Sequence, residues 1–304
     1  MRNTTSISEG RPMMPRAQAW VRARMMRTIL LATAFGIAGV FATANGAPDA
    51  TPAPASGADV QKAVQEAIEL LAVTAEQEQE KVKKVFDQIK PLPNEAALAE
   101  VCKWLTNDEA TKRRSAVYIL GGLQWKNPNP AFPALRELLK HQESLTRGMA
   151  AITLGTLGDT ASYDAIVKMA QEDADSYARR CAAYGLGELG DIRALEPLKT
   201  IRADKDGSVA ANAQNAEERL TFLHDNESAS GDAKQVVRGI WIISGSTPWN
   251  SERLDRAITM IQSADPAVSK TVLDKAAASP SVAIQNSVKF AETKLAGAAG
   301  ASSK

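Results

Sequence analysis

The chain has 304 residues, 44% of them hydrophobic and 5% aromatic, with 36 Lys and Arg against 35 Asp and Glu for a net charge of +1. Residues 1–46 hold six of the arginines (Arg2, Arg11, Arg16, Arg22, Arg24, Arg27) and one acid, Glu9, so the remainder is mildly acidic, 30 bases against 34 acids. An acidic body lacks the basic stripe that neutralises phosphates, which excludes a nucleic-acid binder, and two cysteines with two histidines exclude a disulfide framework or a four-ligand zinc site.

At the N-terminus, after Arg22, Arg24 and Arg27, the chain runs from Thr28 to Ala44 without a charge and ends in small residues, Ala42-Thr43-Ala44-Asn45-Gly46. A basic segment, a short apolar segment and an Ala-x-Ala-like end predict a secretory signal peptide over residues 1–46, cleaved after Ala44 or Gly46. The alternative is an uncleaved membrane anchor, since 17 uncharged residues stand at the lower edge of a bilayer span. No Cys in this segment rules out a lipid-modified cysteine there, and no Arg-Arg pair marks twin-arginine export. Met13, Met14, Met25 and Met26 are alternative starts. The expected location is exported, periplasmic or extracellular. Residues 47–57, with Pro48, Pro52 and Pro54 among Ala, Ser and Thr, read as a linker.

From Ala58 onward apolar residues recur at helical spacing, broken by Gly, Pro or Asn and Asp, and no stretch alternates as a strand does. The expected fold class is all-α. Residues 58–106 read as N-terminal helices that cap a helical array, the last of them over Glu95 to Leu105.

Three segments between 107 and 220 align. They are Arg113-Arg114-Ser115-Ala116-Val117-Tyr118-Ile119-Leu120-Gly121, Arg147-Gly148-Met149-Ala150-Ala151-Ile152-Thr153-Leu154-Gly155 and Arg179-Arg180-Cys181-Ala182-Ala183-Tyr184-Gly185-Leu186-Gly187. Arg stands eight residues and Ala five residues before each closing Gly, and the closing glycines recur after 34 and 32 residues. Two copies continue as Leu157-Gly158-Asp159 and Leu189-Gly190-Asp191. A Gly past a helix end takes the left-handed conformation that closes it, and an Asp after it accepts hydrogen bonds from the next helix's free N–H groups. Second helices follow over Phe132 to Leu139, Tyr163 to Met169 and Leu195 to Ile201. A helix pair of this kind buries its apolar stripe only by stacking on its neighbours, so the expected architecture is an α-solenoid of antiparallel helix pairs.

These Arg…Ala…Leu-Gly-x-Leu-Gly-Asp runs, with Ala194-Leu195-Glu196-Pro197-Leu198 in a second helix, resemble HEAT repeats of the short type also found in phycobilin lyases; the resemblance covers residues 107–203. The first copy departs from the pattern at Trp125-Lys126, which lengthen its inter-helix loop. A fourth unit opens at Gly207-Ser208-Val209, with Glu217-Glu218 where Leu-Gly is expected. Residues 221–296 read as degenerate repeats, with helices over 232–245, 250–262, 266–277 and 281–295, and 297–304 as a disordered tail.

Gly185-Leu186-Gly187-Glu188-Leu189-Gly190 matches G-x-G-x-x-G, but a helix precedes it where a dinucleotide site needs a strand, so the motif reads as repeat structure. Arg113, Arg147 and Arg179 stack one per repeat, either as an intramolecular ladder or as a basic row that grips an acidic or C-terminal peptide. Cys102 and Cys181 read as core residues. His141 and His224 have no second ligand at metal-binding spacing, and Ser244-Gly245-Ser246 is not a hydrolase elbow. Trp104 and Trp241 lie within helices, whereas Trp125 and Trp249 sit in Pro- and Asn-rich connections, where an aromatic side chain serves either as an interface anchor or as packing over a loop.

The functional expectation is an exported, non-catalytic scaffold that binds an unidentified protein or peptide in its groove, without nucleic acid, metal or cofactor, and on a membrane only if the N-terminal segment is retained. The resemblance to phycobilin lyases implies an alternative, an enzyme or enzyme subunit acting on a chromophore or modified protein, for which Glu172, Glu188 and Glu196 are the nearby acids.

Overall fold

A computed structural model describes residues 56–73, 79–245 and 251–302, without the side chains of 79, 251 and 298–302. The segment expected to be a signal peptide, the linker as far as residue 55, Trp249 and the last two residues lie outside the described residues.

The helices are α1 (Gly57–Ala72), α2 (Gln79–Ile89), α3 (Asn94–Lys103), α4 (Ala110–Gly122), α5 (Phe132–Leu138), α6 (Ser144–Leu157), α7 (Tyr163–Glu172), α8 (Ser176–Leu189), α9 (Leu195–Ile201), α10 (Gly207–His224), α11 (Gly231–Gly245), α12 (Ser251–Gln262), α13 (Pro266–Ala277) and α14 (Val282–Ser302). The described residues contain no strand. Short 3₁₀ turns lead from Trp104 to Thr106 out of α3 and precede α5, α7 and α9.

The first member of each pair stacks on the next, α1 on α4, α4 on α6, α6 on α8 and α8 on α10, while α5 packs on α6, α7 on α8 and α9 on α10. The sequence explains the tightest of these contacts. Ala150, Ala151, Leu154, Ala178, Ala182, Ala183 and Leu186 are fully buried, and a Cβ on Gly185 would stand 2.5 Å from the Ala151 carbonyl oxygen, while one on Gly155 would strike the Gly185 carbonyl. Small residues let α6 and α8 approach backbone to backbone. The G-x-G-x-x-G spacing therefore serves this packing and the helix end, where Gly190 closes α8 at φ 69°, as Gly158 closes α6 at φ 79°.

The two Leu-Gly-Asp turns then differ. Asp191 accepts from the Arg193 N–H at 3.0 Å, as the motif predicts. Asp159 does not cap; its buried carboxylate receives Arg136 Nε and Nη2 of α5 at 2.7 and 2.5 Å, whereas Asp191 takes the guanidinium of Arg193, two residues on, together with the Arg193 N–H.

The linker ends earlier than composition suggests: Ser56 caps α1 at Gly57, with the Asp59 carboxylate returning the bond to the Ser56 N–H. At the other end α14 continues to Ser302, so the segment expected to be a disordered tail is helical as far as it is described; its alanines favour helix.

One buried cluster runs from Val60 to Leu220 and a second from Phe222 to Ala291, so α10 contributes to both. Around α11 the pattern changes. Helices α12, α13 and α14 all pack on α11, and α14 also returns to α10, a contact that a stack of nearest neighbours does not make.

Candidate functional site

The arginine row is built by repetition. Arg113, Arg147 and Arg179 each donate Nη1 to the carbonyl oxygen six residues earlier, on Asn107 (2.6 Å), His141 (2.8 Å) and Asp173 (2.9 Å). The other arm of each guanidinium reaches the turn before the next first helix. Arg147 Nε and Nη2 donate to Asp173 at 2.8 and 2.7 Å, and Arg179 Nε and Nη2 to Asp204 at 2.7 and 2.9 Å. Asp173 and Asp204 also accept the N–H groups of Asp175 and Asp206, the residues that cap α8 and α10. Arg113 has a looser partner, Glu143 at 3.4 Å, which Arg114 shares at 3.2 Å.

Each fork thus joins a helix to the turn that starts its neighbour, and Arg179 is 5% exposed. Arg179 holds the Asp204 carboxyl below the ordinary carboxylate value. At Asp173 burial pushes the value up, but the Arg147 fork and the Asp175 N–H outweigh it. The three guanidiniums tie repeat to repeat.

A second cluster was not legible as a site. Glu188 of α8 is buried between Arg219 of α10, 2.8 Å away, and Arg253 of α12. Arg219 Nε donates to Ser244 Oγ at 3.1 Å, and its guanidinium lies 5.4 Å from the Trp241 ring. Gly245 has no Cβ because the Arg219 guanidinium stands in that place, and the Tyr184 hydroxyl donates to the Gly245 carbonyl. Burial raises the Glu188 carboxyl, yet Arg253 and Arg219 together hold it below its ordinary value. It is a fixed anion between two cations, and neither Glu172 nor Glu196, both exposed, joins it.

A signal for it existed. Position 188 aligns with Gly122 and Thr156 of the preceding copies, and the capping residues Asp175 and Asp206 place Arg219 at the same position one repeat later. Opposite charges at equivalent positions of adjacent repeats are stacked neighbours.

Trp125 marks the third place. It is 8% exposed, and its Nε1 donates to the Leu120 carbonyl at 3.0 Å. Beside it opens a cleft of about 440 Å³, between the end of α2, the start of α3, the 123–126 loop and the first turn of α12. Ile89, Leu92, Ala97, Leu123 and Trp125 form its apolar walls, and Lys90, Lys126 and Glu252 its charged ones. Lys90 pairs with Glu252 at 3.2 Å. Asn94 holds the loop from both sides, receiving the Lys126 N–H at 2.9 Å and donating to the Gln124 carbonyl at 3.4 Å. The structure thus brings Trp125 to a cleft and pairs Arg113, Arg147 and Arg179 with carboxylates and carbonyls of the chain itself.

Cys102 and Cys181 are free, and burial raises both thiols, Cys102 to about 11. Among the described residues no three His, Cys, Asp or Glu side chains form a metal-binding group, and no helix is long and apolar enough to cross a membrane.

Over residues 98–180 the chain matches the family model described as HEAT repeats, and over 178–201 that of the PBS lyase HEAT-like repeat. No curated protein matches it. Among solved structures it is similar to a designed armadillo repeat protein, at 15% identity and a TM-score of 0.38 over 79% of this chain and 94% of that one. A second designed armadillo repeat protein, in complex with the peptide (KR)4, is 14% identical at a TM-score of 0.33, over 64% and 98% of the two chains. Human deoxyhypusine hydroxylase in complex with glycerol is also 14% identical, at a TM-score of 0.34 over 77% and 96%. Residues 98–201, matched by these repeat models and folded as stacked helix pairs, are HEAT repeats.

Proposed function

We propose that this HEAT-repeat protein is an exported, non-catalytic scaffold that binds a protein or peptide partner, and that the partner docks at the cleft beside Trp125. One observation carries the reading: the cleft has a preformed apolar wall inside a charged rim, on a loop that lengthens only the first repeat. A volume of about 440 Å³ lies in the lower part of the range of roughly 300–1,000 Å³ that ligand pockets occupy. A buried aromatic at the centre of such a depression, ringed by polar groups, is the arrangement in which a few side chains carry most of an interface's energy.

Export is supported by the N-terminal pattern of basic, apolar and small residues. Mass spectrometry of the chain from a fractionated cell tests it: a mature N-terminus at Asn45 or Ala47 in the exported fraction is expected, and an intact leader in the soluble cytoplasmic fraction contradicts it.

Docking is tested with a photo-crosslinking residue at the exposed Gln124 on the cleft rim and, separately, at Thr271 in α13. A discrete crosslinked species is expected from position 124, lost when Leu92→Glu puts a charge on the cleft wall. Equal crosslinking from both positions, or none from either, defeats the reading.

A further inference from the structure

The charges around the cleft specify the chemistry of what it takes. Lys90 is already paired, with Glu252 at 3.2 Å and Asp87 at 3.6 Å. Lys126 has no ion pair among the described residues and is exposed on the rim, its backbone fixed by Asn94. Glu252 Oε2 is buried, and although Lys90 lies near, no hydrogen bond of good geometry reaches it. The cleft therefore offers three unlike features together: an apolar wall, one spare ammonium, and one buried carboxylate oxygen with lone-pair capacity left.

Resting on the docking reading above, we propose that the cleft receives the C-terminus of a partner polypeptide, with an apolar last residue against Trp125 and Leu123, its α-carboxylate at Lys126, and a backbone N–H donated to Glu252. A chain end is the peptide element that carries an apolar side chain, a carboxylate and an N–H donor on one residue. Lys126 can approach the carboxylate from solvent, since a lysine is a flexible point charge with three donors. Glu252 repels further acids, so a run of Asp or Glu is disfavoured where a single carboxylate is accepted.

The far wall of the cleft is held at a distance. Arg253, next in sequence to Glu252, is clasped by the buried Glu188, which gives the first turn of α12 a fixed position over the α2–α3 turn. Residues 90, 188 and 252 are far apart in sequence, so the cleft forms only once α12 has docked across the repeats.

Fluorescence anisotropy with the full purified chain tests this, using dye-labelled Gly-Ser-Gly-Ala-Leu with a free C-terminus, the same peptide as its C-terminal amide, and Gly-Ser-Glu-Leu-Gly amide with its acid internal. The free acid should bind and the amide should be about tenfold weaker or worse. Lys126→Met, at an exposed position where folding is not at issue, should weaken the free acid to the level of the amide and leave the amide unchanged, a coupling read as a double-mutant cycle. Equal binding of acid and amide, or a Lys126→Met chain that still tells them apart, overturns the proposal. Strongest binding of the internal-acid peptide overturns it in favour of an acidic side chain. If no peptide binds while position 124 still crosslinks a partner, the C-terminal chemistry fails and the docking reading stands; if crosslinking fails as well, both fall.

Discussion

Among single residues, the arginine row makes a graded prediction. Arg179 and Arg147 fork onto aspartates that are themselves largely buried, whereas the Arg113 contact to Glu143 is longer and half open to water. Removing one partner of a buried pair leaves the other charge uncompensated. Arg179→Met should therefore cost about 3 kcal/mol and Glu143→Gln nearer 1 kcal/mol, in that order, measured by urea unfolding. The pH dependence comes from the same groups. Asp204 and Asp173 have folded values below 3.8, so their stabilisation is complete above that value and is lost as pH falls through the folded one. Unfolding curves recorded below pH about 4 should accordingly be flatter for Asp204→Asn than for the unaltered chain. His141 works at a higher pH. Burial and the nearby Arg113 and Arg147 hold it below 6.5, and its neutral Nδ1 accepts the Glu143 N–H at 3.1 Å. A histidine depressed in the fold is native when neutral, so its contribution is lost as pH falls from 6.5 through the folded value. A His141→Gln chain whose stability between pH 7.5 and 5.5 changes as steeply as that of the unaltered chain would refute this.

Among the helices and turns, the glycines separate by what surrounds them. Gly185→Ala places a methyl group 2.5 Å from the Ala151 carbonyl oxygen and must push α6 from α8, a destabilisation of about 2 kcal/mol or more. Gly207, one residue past the cap of α10, has nothing within 4 Å. Its replacement by Ala should be neutral or stabilise by up to about 1 kcal/mol, by restricting the unfolded chain. Thermal unfolding of the two variants side by side decides this, and similar melting temperatures would show that the α6–α8 approach is not limiting. The helices themselves were legible, because apolar spacing and Gly, Pro and Asp punctuation are local properties. The second helices over 132–139, 163–169 and 195–201 appear as α5, α7 and α9, and the four C-terminal segments as α11 to α14. The differing fates of Asp159 and Asp191 were not legible, since the same Leu-Gly precedes both and the partners differ: Arg136 reaches Asp159 from the previous repeat, while Asp191 pairs with Arg193 two residues on.

Across the molecule, the Glu188 centre couples the repeats to the C-terminal helices. Its two arginines are not equivalent: Arg219 is fully buried and bonds α11 as well as Glu188, whereas Arg253 is the outer cation. Arg253→Met leaves Glu188 with one cation for one anion. It should raise amide exchange in the first turn of α12 while lowering global stability little, whereas Arg219→Met should destabilise the whole chain. Hydrogen exchange read by mass spectrometry distinguishes the two, and unchanged exchange in α12 after Arg253→Met would show that the clasp does not hold it.

The periodicity is a property of the sequence alone, and with it come the all-helical class, the repeat and its family, because a motif that recurs every 32 to 34 residues encodes contacts between nearest neighbours. The arginines that recur with it were visible too, though the same spacing suited a ladder and a binding row alike. Their pairing within the chain came from the folded structure, since it depends on Asp173 and Asp204 arriving from the turns of the next repeat. Folding alone brought Lys90, Trp125 and Glu252 around one cleft and Glu188, Arg219 and Arg253 into one buried centre. Glu188 and Arg219 hold equivalent repeat positions, but Glu252 and Arg253 have no repeat relation to the segments they meet, and a linear pattern carries no record of where the chain returns on itself.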